Sequence, residues 1–328
     1  MTNACGHVGD EIASRVRRSL VELHGGFEHL EVGCFFTLDT AAPTTAFLRV
    51  RPSDHVALAE TLVVDGAGGA VVSASAIEPL PASLDERQVV ETLTLPAGRS
   101  SVRYSAFLDV APVCDLMPDH ATAPRVEALG VVEWWWLQPT RYCRPDELGG
   151  EAWERFGVGI GPGSPATGAL VREICSYVNE SMAFEYGSST PMTSATDAWA
   201  ARRGVCRDFN HIAISFCRAL NIPARYTFGY LPDIAVDANT APMDFCAWFE
   251  VLLDGRWWTF DARVNEPRIG RVVVGRGRDA ADVPLVSTFG PAFLSEFRVF
   301  ARQAPVLAAP EAADVGAADV GAAGCLIR

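Results

Sequence analysis

The sequence predicts an α+β protein in two parts: an N-terminal antiparallel β-sandwich-like domain, then a mixed α+β domain. Three patterns predict this. From about Leu30 to Pro112, short β-rich runs follow one another, broken by Gly, Pro, Asp and Ser, which is the rhythm of a small all-β sandwich. From Ala169 onward, apolar residues first recur at helical spacing and then give way to strands. Further on, Asp254-Gly255 lies between two apolar runs, the signature of a two-residue hairpin turn.

In chain order, residues 1–28 are expected to form an N-terminal helical segment, since Ile12, Val16, Leu20 and Leu23 recur on one face. Residues 29–130 form the β-rich domain, with the runs EVGCFFTLDT, TTAFLRVRPS, LAETLVVDG, AVVSASAIE, QVVETLTLPAG and SVRYSAFLDVAP as its strands. Residues 131–302 form the second domain. It opens with VVEWWWLQPTRYCRPDEL; three consecutive tryptophans cannot all face one side of a strand, so at least one packs between domains or lines a pocket mouth. A Gly/Pro-rich loop over 157–168 precedes a helix from Ala169 to Met182, and Thr193 to Ala201 reads as a second, short helix. Residues 303–328 repeat ADVGA and are mostly Ala, Gly, Asp and Pro, the composition of a disordered tail.

Composition removes several classes of function. Net charge is −13, and all 27 basic residues are Arg, so no Schiff-base lysine exists and nucleic acid is a poor partner. No stretch is long and apolar enough to span a bilayer, so no membrane partner is expected. The first residues lack an apolar signal core, which predicts a cytoplasmic location. Nine cysteines without a CxxC pair fit reduced thiols better than a disulfide framework or a structural zinc site. No metal and no cofactor is called for.

The chemistry-bearing stretch is AWAARRGVCRDFNHIAISFCRALNIPARYTFGY. Gly204 offers a break before Cys206. Phe209, Ile212, Ala213, Phe216, Cys217 and Leu220 then fall at helical spacing, and Asn221 and Pro223 end the helix. Ala224 to Tyr230 reads as a strand. Cys206 thus sits at a helix N-terminus, whose partial positive charge favours thiolate over thiol. Asp208, in the first turn, is expected to point outward, away from that thiolate. In MDFCAWFEVLLDGRWWTFDAR the hairpin turn sets Leu253 opposite Arg256 and so Trp248 opposite Asp261. Cys246 then shares a face with Trp248 and lies diagonal to Asp261. If the Cys206 helix packs on that face, two thiols and a carboxylate converge.

GVCRDFNH, ALNIPARYTFGY, DFCAWFEV and WWTFDARVNEPRIGR resemble the transglutaminase-like cysteine protein superfamily of bacteria, and LQPTRYCRPDEL resembles the entry to its catalytic domain. The resemblance covers roughly residues 131–300. It implies a papain/transglutaminase-like α+β catalytic domain, with a Cys at a helix N-terminus and a His and an Asp on neighbouring strands. On that pattern Cys206 matches the nucleophile and Asp261 the carboxylate that orients the base, while the histidine position falls on Cys246. No histidine follows His211, and His211 is five residues along the helix from Cys206, about 140° around it, pointing away. The sequence therefore offers Cys206–Cys246–Asp261 in place of a Cys–His–Asp triad. Cys246, with a pKa near 8.5 if unperturbed, would take the Cys206 proton and return it to a leaving group.

Four readings follow. An acyl-transfer enzyme attacks an amide or thioester carbonyl with Cys206, and water or an amine resolves the acyl-enzyme; its partner is a small-molecule, peptide or carrier-bound acyl substrate. A cofactor-independent isomerase removes and returns a proton with two thiols on opposite faces of a substrate carbon. A binding protein keeps the fold with a decayed site. A redox switch forms a Cys206–Cys246 disulfide. For substrate contact, Trp199, Tyr226 and Trp248 wall a cleft in the functional reading, and core packing accounts for them equally well. Arg263, with Arg268, Arg271, Arg276 and Arg278, forms a basic run that either meets a substrate carboxylate or phosphate or makes a solvated face.

Overall fold

A computed structural model describes residues 28–66, 74–79, 88–116, 119–161, 164–237 and 242–304. The N-terminal helical segment expected over residues 1–28 and nearly all of the tail expected from 303 lie outside them.

The described residues begin with six strands, β1 (Glu28–Thr40), β2 (Thr44–Leu48), β3 (Ala57–Asp65), β4 (Ala74–Pro79), β5 (Val89–Leu95) and β6 (Gly98–Val110). All six coincide with the runs read from sequence. The next elements are helices: α1 (Val131–Trp135), α2 (Pro145–Phe156) and α3 (Gly168–Ser181). After the two-residue strand β7 (Ala183–Phe184) come α4 (Ala195–Ala201), β8 (Arg203–Gly204) and α5 (Cys206–Ala219). Strands β9 (Ala224–Tyr230), β10 (Cys246–Leu253), β11 (Arg256–Phe260), β12 (Val272–Gly277), β13 (Val286–Thr288) and β14 (Ala292–Gln303) complete the order.

The N-terminal domain is a sandwich of two four-stranded antiparallel sheets, ordered β14-β1-β6-β3 and β13-β2-β5-β4. Strict alternation builds its core: Leu30, Val32, Cys34, Phe36 and Leu38 of β1 are fully buried with Val102, Tyr104 and Ala106 of β6. One boundary differs from the sequence expectation. β13 pairs with β2, and β14 runs antiparallel along the whole of β1, from Leu30 opposite Gln303 to Thr40 opposite Ala292. The chain therefore returns to the first domain after β12, and residues 286–302 belong to the sandwich. Without β14, β1 would present an open edge rich in apolar residues.

The second domain is an antiparallel sheet ordered β11-β10-β9-β12 with the helices around α5. The Asp254-Gly255 turn has positive φ at both residues, 47° and 71°, as a primed hairpin turn requires, and Leu253 pairs with Arg256 as expected. Helix α5 lies on the face carrying Tyr226 and Phe249, which are register partners. His211 of α5 contacts Tyr226 there, with ring centroids 5.0 Å apart. The opposite face of β10 carries Trp248 and Glu250. The latter binds Arg225 and Arg276, and Arg276 also reaches Asp54 of the sandwich. The tryptophan run forms the short helix α1 and not a strand. Trp136, just past it, packs on Trp257 with centroids 5.7 Å apart, while Trp134 and Trp135 are exposed.

Candidate active site

Cys206 is the first residue of α5, after the extended N-cap Val205. Gly204 permits this entry: a Cβ there would come within 2.8 Å of Asp208 Cβ and 2.9 Å of its carboxylate. Asp208 does not point outward as the sequence suggested. It is fully buried, its Oδ2 accepts the Val205 N–H at 2.8 Å, and its Oδ1 accepts from the Arg207 guanidinium at 3.1 Å. The cation beside it resolves the conflict that a lone carboxylate near a thiolate would create. Asn210, one turn after Cys206, was not singled out from sequence. Its amide donates to the Cys206 and Ala247 carbonyls at 2.8 and 2.9 Å and accepts the Ala262 N–H at 3.1 Å. One side chain thus ties the Cys206 turn to β10 and to the residue after Asp261. The signal was present: a carboxamide on an otherwise apolar helix face.

Cys206 and Cys246 line one cleft of about 130 Å³, together with Phe184, Tyr186, Met243, Asp244, Phe245, Leu231 and Arg263. That is well under the roughly 300 Å³ of pockets that enclose a whole drug-sized ligand, so the cleft fits a reacting group and its neighbours. The two thiols do not meet in the way the register suggested, because α5 covers the other face of β10. Both residues border the cleft near the start of β10: Cys206 Sγ lies 3.8 Å from the Phe245 carbonyl, one residue before β10 begins, and Cys246 Sγ 3.9 Å from the Asp244 carbonyl. Burial, with the nearby Asp261 charge second, pushes the Cys246 thiol up to about 11. At neutral pH it is a neutral thiol, able to donate but not to accept the Cys206 proton, against the value near 8.5 assumed from sequence.

Asp261 is near Cys246 electrostatically but does not line the cleft. Its Oδ1 accepts the Arg263 and Val264 N–H groups at 2.9 and 3.0 Å, and its Oδ2 pairs with Arg271 at 3.0 Å. It holds the loop that presents Arg263. His211 is excluded as a base: it is fully buried, stacked on Tyr142, and its Nε2 accepts the Ala280 N–H at 3.2 Å. Burial, helped by Arg207 and Arg218, holds it neutral, well below the usual imidazole range.

Of the four residues expected to contact substrate, only Arg263 lines the cleft. Trp199 is buried among Tyr177 and Phe216, with its indole N–H on Glu151 at 2.7 Å. Tyr226 is core beneath α5, and Trp248 lies on the reverse face of the sheet under the Arg271 guanidinium, 5.0 Å from the ring centre. The basic run is not a solvated face either. Arg268 pairs with Asp233, Arg271 with Asp115 and Asp261, Arg276 with Asp54 and Glu250, and Arg278 with Asp282. The Arg263 guanidinium instead stacks on Phe184, 4.4 Å from its centroid.

The model of the transglutaminase-like superfamily matches residues 156–262, from the end of α2 through Cys206 to just past Asp261. A protein from Cytophaga hutchinsonii described as a putative cysteine protease superposes with a TM-score of 0.70 at 28% identity, over 88% of this chain and 94% of that one. The chain carries a transglutaminase-like core. An uncharacterized protein of Mycobacterium tuberculosis is 33% identical over 130 residues, 35% of this chain and 40% of the other. One of Mycobacterium leprae is 37% identical over 101 residues, 30% and 36% of the two chains. The chain thus spans about two fifths of the length of the first curated relatives it matches. Among the described residues no helix is long and apolar enough to cross a membrane.

Proposed function

We propose that this chain is a cysteine-dependent acyltransferase or hydrolase working through an acyl-Cys206 intermediate. The observation that carries it is the placement of Cys206 at the first position of a buried helix, where it lines a cleft. The helix end favours the thiolate, and the first N–H groups of the helix, outside its internal ladder, can bind the oxyanion that forms as the carbonyl is attacked. Water or an amine then resolves the acyl-enzyme. p-Nitrophenyl acetate is expected to release a burst of about one nitrophenolate per chain before slower turnover; linear release without a burst contradicts an acyl-enzyme.

Arg263 supplies the substrate preference. Its guanidinium, stacked on Phe184 at the cleft wall, suits a carboxylate or phosphate on the acyl group or carrier. Arg263→Ala is expected to raise KM for a succinyl ester about tenfold while leaving an acetyl ester nearly unchanged, in line with about 1.5 kcal/mol for a charge-assisted hydrogen bond. Equal effects on both esters would remove it from recognition.

Position 246 carries a second test. Cys246→His would place an imidazole where the family resemblance puts the base, near Asp261. Amide hydrolysis is expected to rise by about 10²-fold, within the usual range for a general base; unchanged amidase activity would mean that the side chain at 246 does not address the scissile bond. A thiol that stays protonated at neutral pH, in the same cleft as Cys206, also suits two-thiol isomerisation. Solvent deuterium entering a substrate α-position without hydrolysis separates that reading from acyl transfer.

A further inference from the structure

The cleft has two thiols and no histidine among its lining residues, and Cys246 is held as a neutral thiol. Acyl transfer still needs a group that takes a proton from the attacking thiol or water and gives one to the leaving atom. Asp244 is placed for it. Half-buried Asp244 lines the same cleft as Cys206 and Cys246. Phe245 links it to the nucleophile: Asp244 Oδ1 accepts the Phe245 N–H at 2.7 Å, and Cys206 Sγ meets the Phe245 carbonyl at 3.8 Å. The Tyr186 phenol, on the facing wall, is raised by burial first and then by Asp244, with smaller effects from Arg263, Cys206 and Cys246. One hydroxyl therefore lies within electrostatic reach of the carboxylate and both thiols.

We infer that Asp244 is the proton-transfer group of this site, acting on the thiol, the attacking water and the leaving group directly or through one water in the cleft. This rests on the acyl-transfer reading above. As Cys206 sulfur bonds to the carbonyl carbon, its proton passes to the free Asp244 oxygen and the carbonyl electron pair moves to the oxyanion. Collapse re-forms the carbonyl, breaks the bond to the leaving nitrogen, oxygen or sulfur, and Asp244 returns the proton to that atom. In the second half, water or an amine bonds through its oxygen or nitrogen to the acyl carbon while Asp244 takes its proton; the oxyanion then collapses, the carbon–sulfur bond breaks, and the proton returns from Asp244 to the Cys206 sulfur. No oxidant or reductant is needed.

The carboxyl's environment suits this task. Burial pushes Asp244 up to about 6, with the Phe245 N–H opposing, and proton-transfer groups work best with a pKa near the operating pH. Cys246, at about 11, lies far from it. The other charged or titratable groups on the cleft are Cys206, Cys246, Tyr186, Asp233, Arg263 and Arg268, and Asp233 and Arg268 neutralise each other at 2.9 Å.

The test is p-nitrophenyl acetate turnover from pH 4.5 to 9 by wild type, Asp244→Asn and Asp244→Glu, with peptide mass mapping of acetylated and iodoacetamide-labelled Cys206. Wild-type turnover is expected to rise through an inflection near pH 6. Asp244→Asn should lose that inflection and fall about 10²-fold at pH 7, while Cys206 is still alkylated. Asp244→Glu should keep an inflection and recover part of the rate. If Asp244→Asn keeps both the inflection and the rate while Cys206 is acetylated, Asp244 is not the proton-transfer group and the acyl-enzyme reading stands. Absence of acetyl-Cys206 in the wild type would instead overturn the underlying reading.

Discussion

Cys206→Ala is expected to abolish the nitrophenolate burst and to lower turnover by about 10⁴-fold or more, the scale seen when a covalent nucleophile is deleted. The effect should be this large because nothing else in the cleft can replace the sulfur. Cys246 is a neutral thiol pushed up to about 11 by burial, and Cys34, Cys143, Cys175 and Cys217 are fully interior, their thiols likewise raised by burial. Cys206 sits at a helix N-terminus that Asn210 fixes against β10 and the residue after Asp261, so the alanine variant should fold normally. Burst kinetics with circular dichroism as a fold control checks this. A residual burst above about a tenth of wild type would place the nucleophile elsewhere.

The largest stability loss is expected for Arg271→Met. The buried guanidinium bridges Asp115, at 2.7 Å, and Asp261, at 3.0 Å. Asp115 lies in the segment that leads from the sandwich, beside the Cys114–Ile269 bridge, so this one cation ties the entry of the second domain to the loop carrying Arg263. Removing it leaves the buried Asp261 carboxylate and the half-buried Asp115 without their counter-charge, which costs about 3 kcal/mol. Urea unfolding monitored by tryptophan fluorescence measures the loss. Adding Asp115→Asn and Asp261→Asn to Arg271→Met should recover most of it, because the stranded charges are then gone. No recovery would mean that the guanidinium acts by packing on Trp248 and not as a counter-charge.

What the sequence disclosed and what it hid divide along a physical line. The first six of the sandwich's eight strands, helix α5 from Cys206, strand β9 and the hairpin register around Asp254-Gly255 were legible, because alternation, helical spacing and turn chemistry are local. The partner of AFLSEFRVFARQ was not. It is β1, some 260 residues away in sequence, and a strand's own pattern does not name the edge it will cover. The reach of individual side chains was hidden for a related reason. The hairpin register placed Cys246, Trp248 and Asp261 on one side, but which face α5 covers depends on tertiary packing. Trp248 and Tyr226 therefore fell into core layers, and Asp261 became a staple for its own loop. The arginines were misjudged because their partners, Asp54, Asp115 and Asp233, come from distant segments. Asp244 and Asn210 carried faint signals: an acid immediately before a strand, and an amide on an apolar helix face.

The most direct measurement is mass mapping of the chain after brief reaction with an acyl thioester and rapid acid quench. A single acyl group on the peptide containing Cys206, absent from the peptide containing Cys246 and removed by hydroxylamine, is the predicted result. An acyl group on Cys246 or Cys114, with the Cys206 thiol still free, would contradict the account.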